Sequence, residues 1–323
     1  MIRIALIGAG PNGAGNVKKL IATGRTSLVG VADINLLAAK KIAQEFGKSN
    51  TRVSENFQDI IDPADIVVIS SPNFLHCEHA VTCAKAGKHL WIEKPMALSI
   101  NEADQICSAV EQNKVKTFIG FSVRFSPFSV FMKEKVSSGE IGEIRSIWSR
   151  RLCLLNIPKG HWRKEYIKSG GVMSELIAHE IDWLIDIAGM PESVYCRKQS
   201  DLNDNICAND HVWLTFAFPN GATGTIEGSQ NSLISDYYKG IIGSRGSIYD
   251  RAWGTELYMT DENAKEHRIE TTKAFDKYSH FLDVVEGKTD SVADVFYGRK
   301  IVEISELAIK SAISNKVIKI EKI

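Results

Sequence analysis

Residues 2–13 read IRIALIGAGPNG, and they carry the strongest indication of the fold of the first part of the chain. Residues 2–7 are mostly apolar and predict a buried strand, and the turn that follows has the spacing G-x-G-x-x-G. In such a turn the first glycine permits a tight bend, the second lets the backbone approach a pyrophosphate, and the third lets the next helix pack on the strand. The free N–H groups of that helix favour anions. The residues of this predicted phosphate-binding turn are Gly8, Gly10, Pro11, Asn12 and Gly13.

An acidic residue stands where a dinucleotide-binding fold needs one. Residues 27–32 predict the second strand, and Asp33 ends it about 20 residues after Gly13. A carboxylate at this position accepts hydrogen bonds from the ribose hydroxyls of the adenosine, and it would repel a 2′-phosphate. The pattern therefore favours NAD over NADP. The alternative is an ordinary strand–turn–helix unit with an exposed aspartate.

Strands and helices alternate through the rest of the first part. Residues 66–69 are a short, fully apolar run, as expected of a strand in a buried parallel sheet, and residues 89–92 predict the next strand. We predict an α/β fold with an N-terminal Rossmann dinucleotide-binding domain over residues 1–121, whose ligands lie at the carboxyl ends of the strands. The other predicted elements are a helix over 36–46 ended by Gly47, a helix over 73–86, a helix opened by a capping box at Ser99 and Glu102, and a strand over 117–121.

The second part, residues 122–323, has a different pattern. Consecutive strand-like stretches without helices between them predict a large, mostly antiparallel sheet, and therefore a C-terminal α+β domain. One long helix is predicted over residues 172–188, and a second, over about 292–314, could pack back on the first domain. The strand-like stretches are residues 143–155, 193–199, 211–218 and 222–229, the last two joined by a hairpin turn.

Composition excludes several classes of partner. The 323 residues have a formal net charge of zero and a pI of about 7.1, which predicts neither a nucleic-acid partner nor a membrane-surface partner. No apolar run is long enough to span a bilayer, and the chain starts with a strand, so we expect a cytoplasmic protein. Six scattered cysteines, Cys207 among them, form no C-x-x-C pair and suit a reducing compartment.

The predicted helix over 172–188 carries a charged stripe. At helical spacing Glu175, His179, Asp182 and Asp186 fall on one side, while nearly everything else is apolar. One interpretation is an amphipathic helix whose stripe faces water. The other is that the stripe lines a cleft, with His179 as a general base and Glu175 bonded to its other ring nitrogen.

A metal site is a third interpretation of the histidines. His76, Glu78 and His79 could lie close together on one helix, and so could Glu175 and His179. Neither set has a spacing that is specific for a metal, so we predict none.

Several motifs, taken in order, resemble those of the Gfo/Idh/MocA oxidoreductases, a family that includes glucose–fructose oxidoreductase and inositol dehydrogenase. The resemblance covers nearly the whole chain, and Glu93-Lys94-Pro95 is its most distinctive tripeptide. Two positions depart from the family pattern: Glu175 replaces the usual aspartate, and Val172 replaces the third glycine of a triplet. The other matching motifs are the turn at residues 8–13, the segment SPNFLH at 71–76, Arg124, Trp162-Arg163, Ser169-Gly170-Gly171, and the run Glu175, His179, Asp182.

The resemblance implies roles for the catalytic residues. Lys94 would bind the reacting oxygen, His179 would exchange its proton, and Glu175 would orient His179. The peptide between Lys94 and Pro95 is predicted to be cis, which X–Pro bonds tolerate at a cost of about 0.5–1 kcal/mol. The alternative for Lys94 is a solvated surface lysine.

The resemblance also implies two sets of binding residues. Simpler explanations stay open: a domain-junction salt bridge for Arg124, a surface charge for Arg163, and helix capping or packing for Asn73 and His76. The implied cofactor-binding residues are Gly8, Gly10, Pro11, Asn12, Gly13, Asp33, Ser71, Pro72, Asn73, His76, Glu93, Lys94 and Arg124. The implied substrate-binding residues are Lys94, Trp162, Arg163, Tyr166, His179 and Asp182.

The function implied is that of an NAD-dependent oxidoreductase that transfers a hydride between a nicotinamide cofactor and a hydroxyl or carbonyl carbon of a sugar, cyclic polyol or sugar derivative. Two alternatives stay open: an NAD-retaining glycosidase of the same family, and a non-catalytic dinucleotide-binding regulator. Relatives form homodimers or homotetramers through the C-terminal sheet. Trp148, Trp213 and Trp253 are candidates for that face, or equally for core positions.

Overall fold

The computed structural model describes residues 1–199, 211–251, 254–271 and 274–321. Cys207 and Trp253 lie outside the described residues. The chain forms two compact units, Met1–Gly120 with Asp276–Val302, and Phe121–Phe275 with Glu303–Ile323. Residues 292–302 begin the helix that was predicted to pack back on the first domain, and they belong to the first unit, whereas no pattern in the sequence indicated that residues 276–291 join it. The functional division into a dinucleotide-binding domain over residues 1–121 and an α+β domain over residues 122–323 stays a prediction.

The first unit contains the predicted Rossmann sheet. Its six strands are all parallel and lie in the order β3-β2-β1-β4-β5-β6, so the strand order reverses between β1 and β4. Ligands of such sheets bind at the carboxyl ends of the strands near this reversal. The strands are β1 (Ile2–Ile7), β2 (Thr26–Ala32), β3 (Gly47–Ser54), β4 (Ile66–Ile69), β5 (His89–Ile92) and β6 (Thr117–Ile119).

The second unit contains the predicted mostly antiparallel sheet. Among its described residues, nine strands lie in the order β14-β13-β12-β11-β7-β10-β9-β8-β15, and β7 and β10 form a parallel pair. The strands are β7 (Ile144–Leu154), β8 (Ser193–Gln199), β9 (His211–Ala217), β10 (Thr223–Ser229), β11 (Asn231–Gly243), β12 (Ser247–Arg251), β13 (Glu256–Thr260), β14 (Glu266–Ile269) and β15 (Ile318–Lys319).

Helices cover both sheets. The helices predicted over 36–46 and 292–314 are close to their predicted bounds, and the helix predicted from the capping box begins after Ser99 as expected. The helices are α1 (Pro11–Ala22), α2 (Leu36–Phe46), α3 (His76–Lys85), α4 (Ile100–Asn113), α5 (Pro127–Ser137), α6 (Tyr166–Ser169), α7 (Ala178–Ala188), α8 (Lys277–Val285) and α9 (Val295–Ser314). In the described ranges, no helix is both long enough and apolar enough to cross a membrane.

Two predicted helices differ from the structure in local conformation. Helix α2 ends at Phe46, before Gly47, as predicted, but Gly47 is extended, with φ −93°, rather than left-handed, and it begins β3. A Cβ there would lie 2.4 Å from Thr51 Oγ1, so close approach rather than a positive φ requires the glycine. The helix predicted over 172–188 begins with a π-helical turn, Met173–Ile177, and becomes α-helical only at Ala178.

Helix α7 lies close against the sheet of the second unit. A Cβ on Gly228 of β10 would lie 2.0 Å from Ile177 Cδ1, and one on Gly224 would lie 3.0 Å from Leu184 Cδ1. The two glycines therefore leave room for the side chains of Ile177, just before α7, and Leu184 against the strand, and a side chain at either glycine would make them shift. This packing buries the helix on the side that faces the sheet.

Residues 276–302 are held in the first unit by specific contacts. Arg25 forms ion pairs with Asp283 at 2.8 Å and Glu286 at 2.7 Å. The backbone N–H of Ile119 on the edge strand β6 donates to the carbonyl of Ala293 at 2.7 Å. These partners are distant in the sequence, and local patterns carry no information about them.

Candidate active site

The glycine turn after β1 has the shape that a dinucleotide requires. Gly8 has φ +98°, and a Cβ there would lie 2.5 Å from backbone atoms of Ser70. A Cβ on Gly13 would lie 2.1 Å from the Gly8 carbonyl oxygen, so the fold itself requires both glycines. Gly10 is different: among the described atoms, none would lie within 4 Å of a Cβ at this position. Open space at the second glycine fits the approach of a pyrophosphate.

The end of β2 fits the ribose of NAD. Asp33 Oδ2 accepts the backbone N–H of Ala9 at 2.6 Å, and Oδ1 accepts that of Asn35 at 2.7 Å. Each carboxylate oxygen keeps a further lone pair that can accept a ribose hydroxyl. Helix α1 starts with Pro11, and in the described part of the chain no side chain caps it, so its first N–H groups suit an anion. The residues present therefore fit the cofactor.

Lys94 follows β5 at the carboxyl edge of the same sheet. Its side chain is half-buried, and the peptide to Pro95 is cis, which confirms the prediction for that bond. The preceding residue, Glu93, accepts hydrogen bonds at Oε1 from Asn16 Nδ2 at 2.7 Å and from Trp91 Nε1 at 3.4 Å. Glu93, an expected ribose ligand, is thus also bound to helix α1.

The segment after β4 lies largely inside the protein. Asn73 is 5% exposed and His76 1% exposed, and the two ring nitrogens of His76 contact the carbonyl oxygens of Pro95 and Ser71. The structure therefore places these two expected cofactor ligands beneath the surface at the carboxyl edge. Ser71, with its neighbour Pro72, lies in the turn itself and is half-buried.

Sequence reasoning missed the aromatic support under this edge. The ring of Tyr278 on α8 stacks on Trp91, with centroids 5.0 Å apart and planes within 2° of parallel. The Tyr278 hydroxyl donates to Asn16 Oδ1 at 3.1 Å. Burial raises the pKa of Tyr278 to about 12, so the hydroxyl stays a donor. No local signal points to Tyr278, because its partners lie far away in the sequence.

The charged stripe of the second unit is buried. Glu175 is 9% exposed, His179 8% and Asp182 0%. The interpretation that the stripe faces water is therefore wrong for these three residues. Glu175 belongs to the π-helical turn, where about one extra residue is accommodated per turn, so its offset from His179 differs from the assumed α-helical one. His179 also contacts the ring of Phe121 edge-on, at 6.4 Å between centroids.

Two expected substrate residues lie next to Glu175. Arg163 Nε is 3.1 Å from Glu175 Oε2, and the guanidinium of Arg163 lies 5.3 Å from the ring centroid of Trp162. The ring of His161 stacks on Trp162, with centroids 5.6 Å apart. The structure thus brings Trp162, Arg163 and Glu175 together. Tyr166, on α6, is half-buried and has Lys198 Nζ at 5.5 Å from its ring centroid.

Arg124 lies inside the second unit and is bound to helix α7. It is 4% exposed, and its guanidinium contacts Asp182 Oδ1 at 3.1 Å and Asp186 Oδ1 at 2.8 Å. Lys133 also contacts Asp186, at 2.7 Å. Arg124 was expected at the cofactor and Asp182 at the substrate, and the structure pairs the two with each other.

A buried charge cluster around Glu180, the residue after His179, was not predicted from the sequence. Glu180, 0% exposed, contacts Lys239 Nζ at 2.6 Å and Arg151 Nη1 at 3.1 Å, and accepts the Ser149 hydroxyl at 2.6 Å. Burial alone would raise the pKa of Glu180, but the charges of Lys239 and Arg151 lower it overall. Burial lowers the pKa of Lys239 to about 8, against the opposing charge of Glu180. The cluster ties α7 to β7 and β11.

Comparisons with known proteins agree with this arrangement. Two family models match: one described as "Oxidoreductase family, NAD-binding Rossmann fold" (GFO_IDH_MocA) over residues 2–121, and the "GFO/IDH/MocA C-terminal domain" over residues 130–249. Among curated proteins, glucose-6-phosphate 3-dehydrogenase of Bacillus subtilis is 31% identical over 209 residues, which cover 62% of this chain and 59% of that protein.

Another curated relative and a solved structure cover more of the chain. The scyllo-inositol 2-dehydrogenase (NAD(+)) of Bacillus subtilis is 27% identical over 315 residues, or 91% of this chain and 89% of that protein. Levoglucosan dehydrogenase in complex with NADH and levoglucosan superposes with a TM-score of 0.88 at 22% identity, covering 100% of both chains, which shows a shared fold. This chain belongs to the GFO/IDH/MocA family of NAD-binding oxidoreductases.

Proposed function

We propose that this protein is an NAD-dependent dehydrogenase or reductase that acts on a hydroxyl or carbonyl carbon of a sugar, a cyclic polyol or a sugar derivative. The observation that carries the proposal is the position of Lys94 at the same sheet edge as the phosphate-binding turn. Because β1, β4 and β5 are neighbours, the two features are about two strand spacings, roughly 10 Å, apart. A cation at that distance suits a substrate oxygen held beside the cofactor.

The substrate class is supported by the relatives and by the chemistry of the second unit. The curated relatives are named as dehydrogenases of a sugar phosphate and of an inositol. In this chain a half-buried Trp162 lies beside Arg163, which gives an aromatic surface next to a group that donates several hydrogen bonds. Such a combination suits a ring-shaped polyol.

The chain supplies binding and proton transfer, and NAD supplies the hydride acceptor when it is bound. In oxidation, Lys94 donates a hydrogen bond to the reacting oxygen and stabilises the negative charge that develops as the hydroxyl proton leaves. His179 takes that proton, so that the carbon gives up a hydride and a carbonyl forms. Glu175, held by Arg163, favours the protonated imidazole. In reduction the same groups act in reverse.

Cofactor preference follows from Asp33. Its carboxylate accepts from two backbone N–H groups and has lone pairs left for the ribose hydroxyls, whereas a 2′-phosphate would meet a like charge. Ile34 and Asn35 offer no cation to neutralise a phosphate. We therefore propose NAD rather than NADP, which a titration of the protein with both cofactors tests.

The experiment is NADH formation with a panel of sugars and cyclic polyols, using the wild type and two lysine variants. Lys94→Ala should abolish turnover, and Lys88→Ala is the matched control because Lys88 precedes the same strand at its opposite end. Wild-type turnover in Lys94→Ala would overturn the assignment. Release of sugar without NADH formation would indicate the glycosidase alternative. Tight NAD binding without turnover of any compound in the panel would indicate the regulator.

Assembly and location are further parts of the proposal. The outer face of the nine-stranded sheet exposes Trp213 at 41%, Tyr238 at 38% and Ile242 at 44%, and Trp148 lies on the same face. This face suits a homodimer or homotetramer, which a mass measurement by light scattering tests. Free thiols at Cys77, Cys83, Cys107, Cys153 and Cys196 support a cytoplasmic location.

A further inference from the structure

The ring of His76 bridges two loops at the carboxyl edge of the first sheet. His76 begins α3 and is 1% exposed. Its Nδ1 lies 2.7 Å from the carbonyl oxygen of Pro95, and its Nε2 lies 2.8 Å from the carbonyl oxygen of Ser71. Ser71 follows β4, and Pro95 comes directly after Lys94 beyond β5. The imidazole therefore connects the turn of one strand to the lysine loop of its neighbour.

The two contacts favour a ring that is protonated on both nitrogens. A carbonyl oxygen only accepts hydrogen bonds, and a neutral imidazole carries one N–H and one lone pair. A neutral ring could donate to only one of the two carbonyl oxygens. Its other nitrogen would then face the second carbonyl oxygen at hydrogen-bond distance with lone pairs on both atoms, which is repulsive. An imidazolium donates from both nitrogens, and hydrogen bonds from a charged donor are about twice as strong as neutral ones.

We propose that His76 is a positioning residue for Lys94, and that it acts as an imidazolium that binds the Ser71 and Pro95 carbonyls together. The inference rests on the proposed function, since the position of Lys94 matters only if Lys94 touches the substrate. It also replaces the expectation that His76 binds the cofactor, because both ring nitrogens are engaged by backbone below the surface.

A second histidine on the same helix provides an internal comparison. His79 is 6% exposed, and its Nδ1 lies 2.9 Å from the hydroxyl of Ser71, which can donate as well as accept. A neutral ring is therefore satisfied there. Burial, with a smaller effect from the neighbouring charge of His76, lowers the pKa of His79 to about 4. The two histidines, three residues apart, are expected in opposite charge states at neutral pH.

The first experiment measures these charge states without any turnover. The unliganded protein is labelled with ¹⁵N-histidine, and its ring nitrogens are observed by NMR at pH 7, with His76→Gln and His79→Gln used to assign the signals. The expected result is two protonated nitrogens in His76 and one in His79. A His76 ring with one bare nitrogen at this pH would overturn the proposal, whatever the activity of the protein.

The second experiment separates positioning from cofactor binding. In His76→Gln we expect kcat to fall about ten- to hundred-fold, as for a misplaced catalytic group, with the Kd for NAD within about two-fold of wild type. His89→Gln is the control: His89 lies at the opposite end of β5 and accepts the backbone N–H of Lys116. Weaker NAD binding with an intact kcat would refute the positioning role.

The two proposals fail in distinguishable ways. If Lys94→Ala keeps its turnover, the catalytic assignment of Lys94 is wrong, and the NMR result still decides the state of His76. If Lys94→Ala is inactive while His76→Gln retains kcat, the proposed function stands and the positioning role of His76 is wrong.

Discussion

Replacing Asp250 by asparagine should stabilise the protein at neutral and alkaline pH. Asp250 lies on β12, is 1% exposed, and stands directly opposite Lys239 in the β11–β12 ladder. Burial raises the pKa of Asp250 to about 7, against the opposing effects of the Lys239 charge and a backbone N–H of Gly254. The native state therefore holds a proton on this carboxyl at pH values where an unfolded chain has released it.

The sign and size of the effect follow from that difference. Between the ordinary value of 3.8 and about 7, the native state binds one more proton at this site than the unfolded state, so stability falls as the pH rises. A pKa difference of about three, at about 1.36 kcal/mol for each pH unit, lowers the free energy of unfolding by roughly 4 kcal/mol. This loss is complete above pH 7. Asparagine resembles the protonated acid and does not titrate. Asp250→Asn should thus match the wild type near pH 4 and exceed its stability by up to roughly 4 kcal/mol at pH 8.

Urea unfolding followed by tryptophan fluorescence measures this effect. Four of the described tryptophans, Trp148, Trp162, Trp183 and Trp213, belong to the second unit, so the signal reports mainly on the unit that contains Asp250. The control is Glu262→Gln, which removes an exposed carboxylate from the same unit and should leave the stability nearly unchanged at every pH. An Asp250→Asn variant no more stable than the wild type at pH 8, or an equal loss of stability in both proteins between pH 4 and pH 8, would refute the reasoning.

Three further results are expected. Gly10→Ala should weaken NAD binding by at least about ten-fold but change the free energy of unfolding by less than about 1 kcal/mol, because the new Cβ meets only open space in the protein. Calorimetry measures the binding, and urea unfolding measures the stability. Glu180→Gln should cost about 3 kcal/mol of stability by leaving buried Lys239 without its counter-ion, and adding Lys239→Met should recover part of that loss. Glu175→Gln should lower the oxidation rate, whereas Glu175→Asp, which keeps a carboxylate, should be tolerated; equal rates in a pH–rate profile of all three proteins would exclude a role for Glu175.

The first sheet could be predicted from the sequence because its central strands are buried on both faces. β4 is a continuous apolar run and β5 is apolar after His89, and the bounds of both strands agree with the predicted ones. β3, with the sequence GKSNTRVS, was not predicted. As an edge strand it is mostly solvated and lacks the apolar pattern, so its place in the sheet depends on pairing with β2.

The sequence predicted that the second sheet is mostly antiparallel, but it did not predict all of its strands. The strands with regular alternation, β8, β9 and β10, were found, whereas the long β11 was not. The register of β11 against β7 shifts between Asn231 and Asp236, and such an irregularity interrupts the alternation that marks a strand. β7 and β10 pair in parallel although they are far apart in the sequence, and the apolar pattern of a strand does not specify its distant partner.

The sequence predicted which residues belong to the candidate site, but it did not predict which of them contact one another. Helical spacing selected Glu175, His179, Asp182 and Asp186 as one stripe and left out Glu180, which is also fully buried. Burying it is possible because Ser149, Arg151 and Lys239 meet it there, and Ser149 and Arg151 lie 31 and 29 residues away along the chain. Burying a charge with no such partners would cost several kcal/mol of desolvation. Whether a charged residue faces water or the interior thus depends on the counter-charges and hydrogen-bond partners that the fold brings to it, and a local pattern cannot contain them.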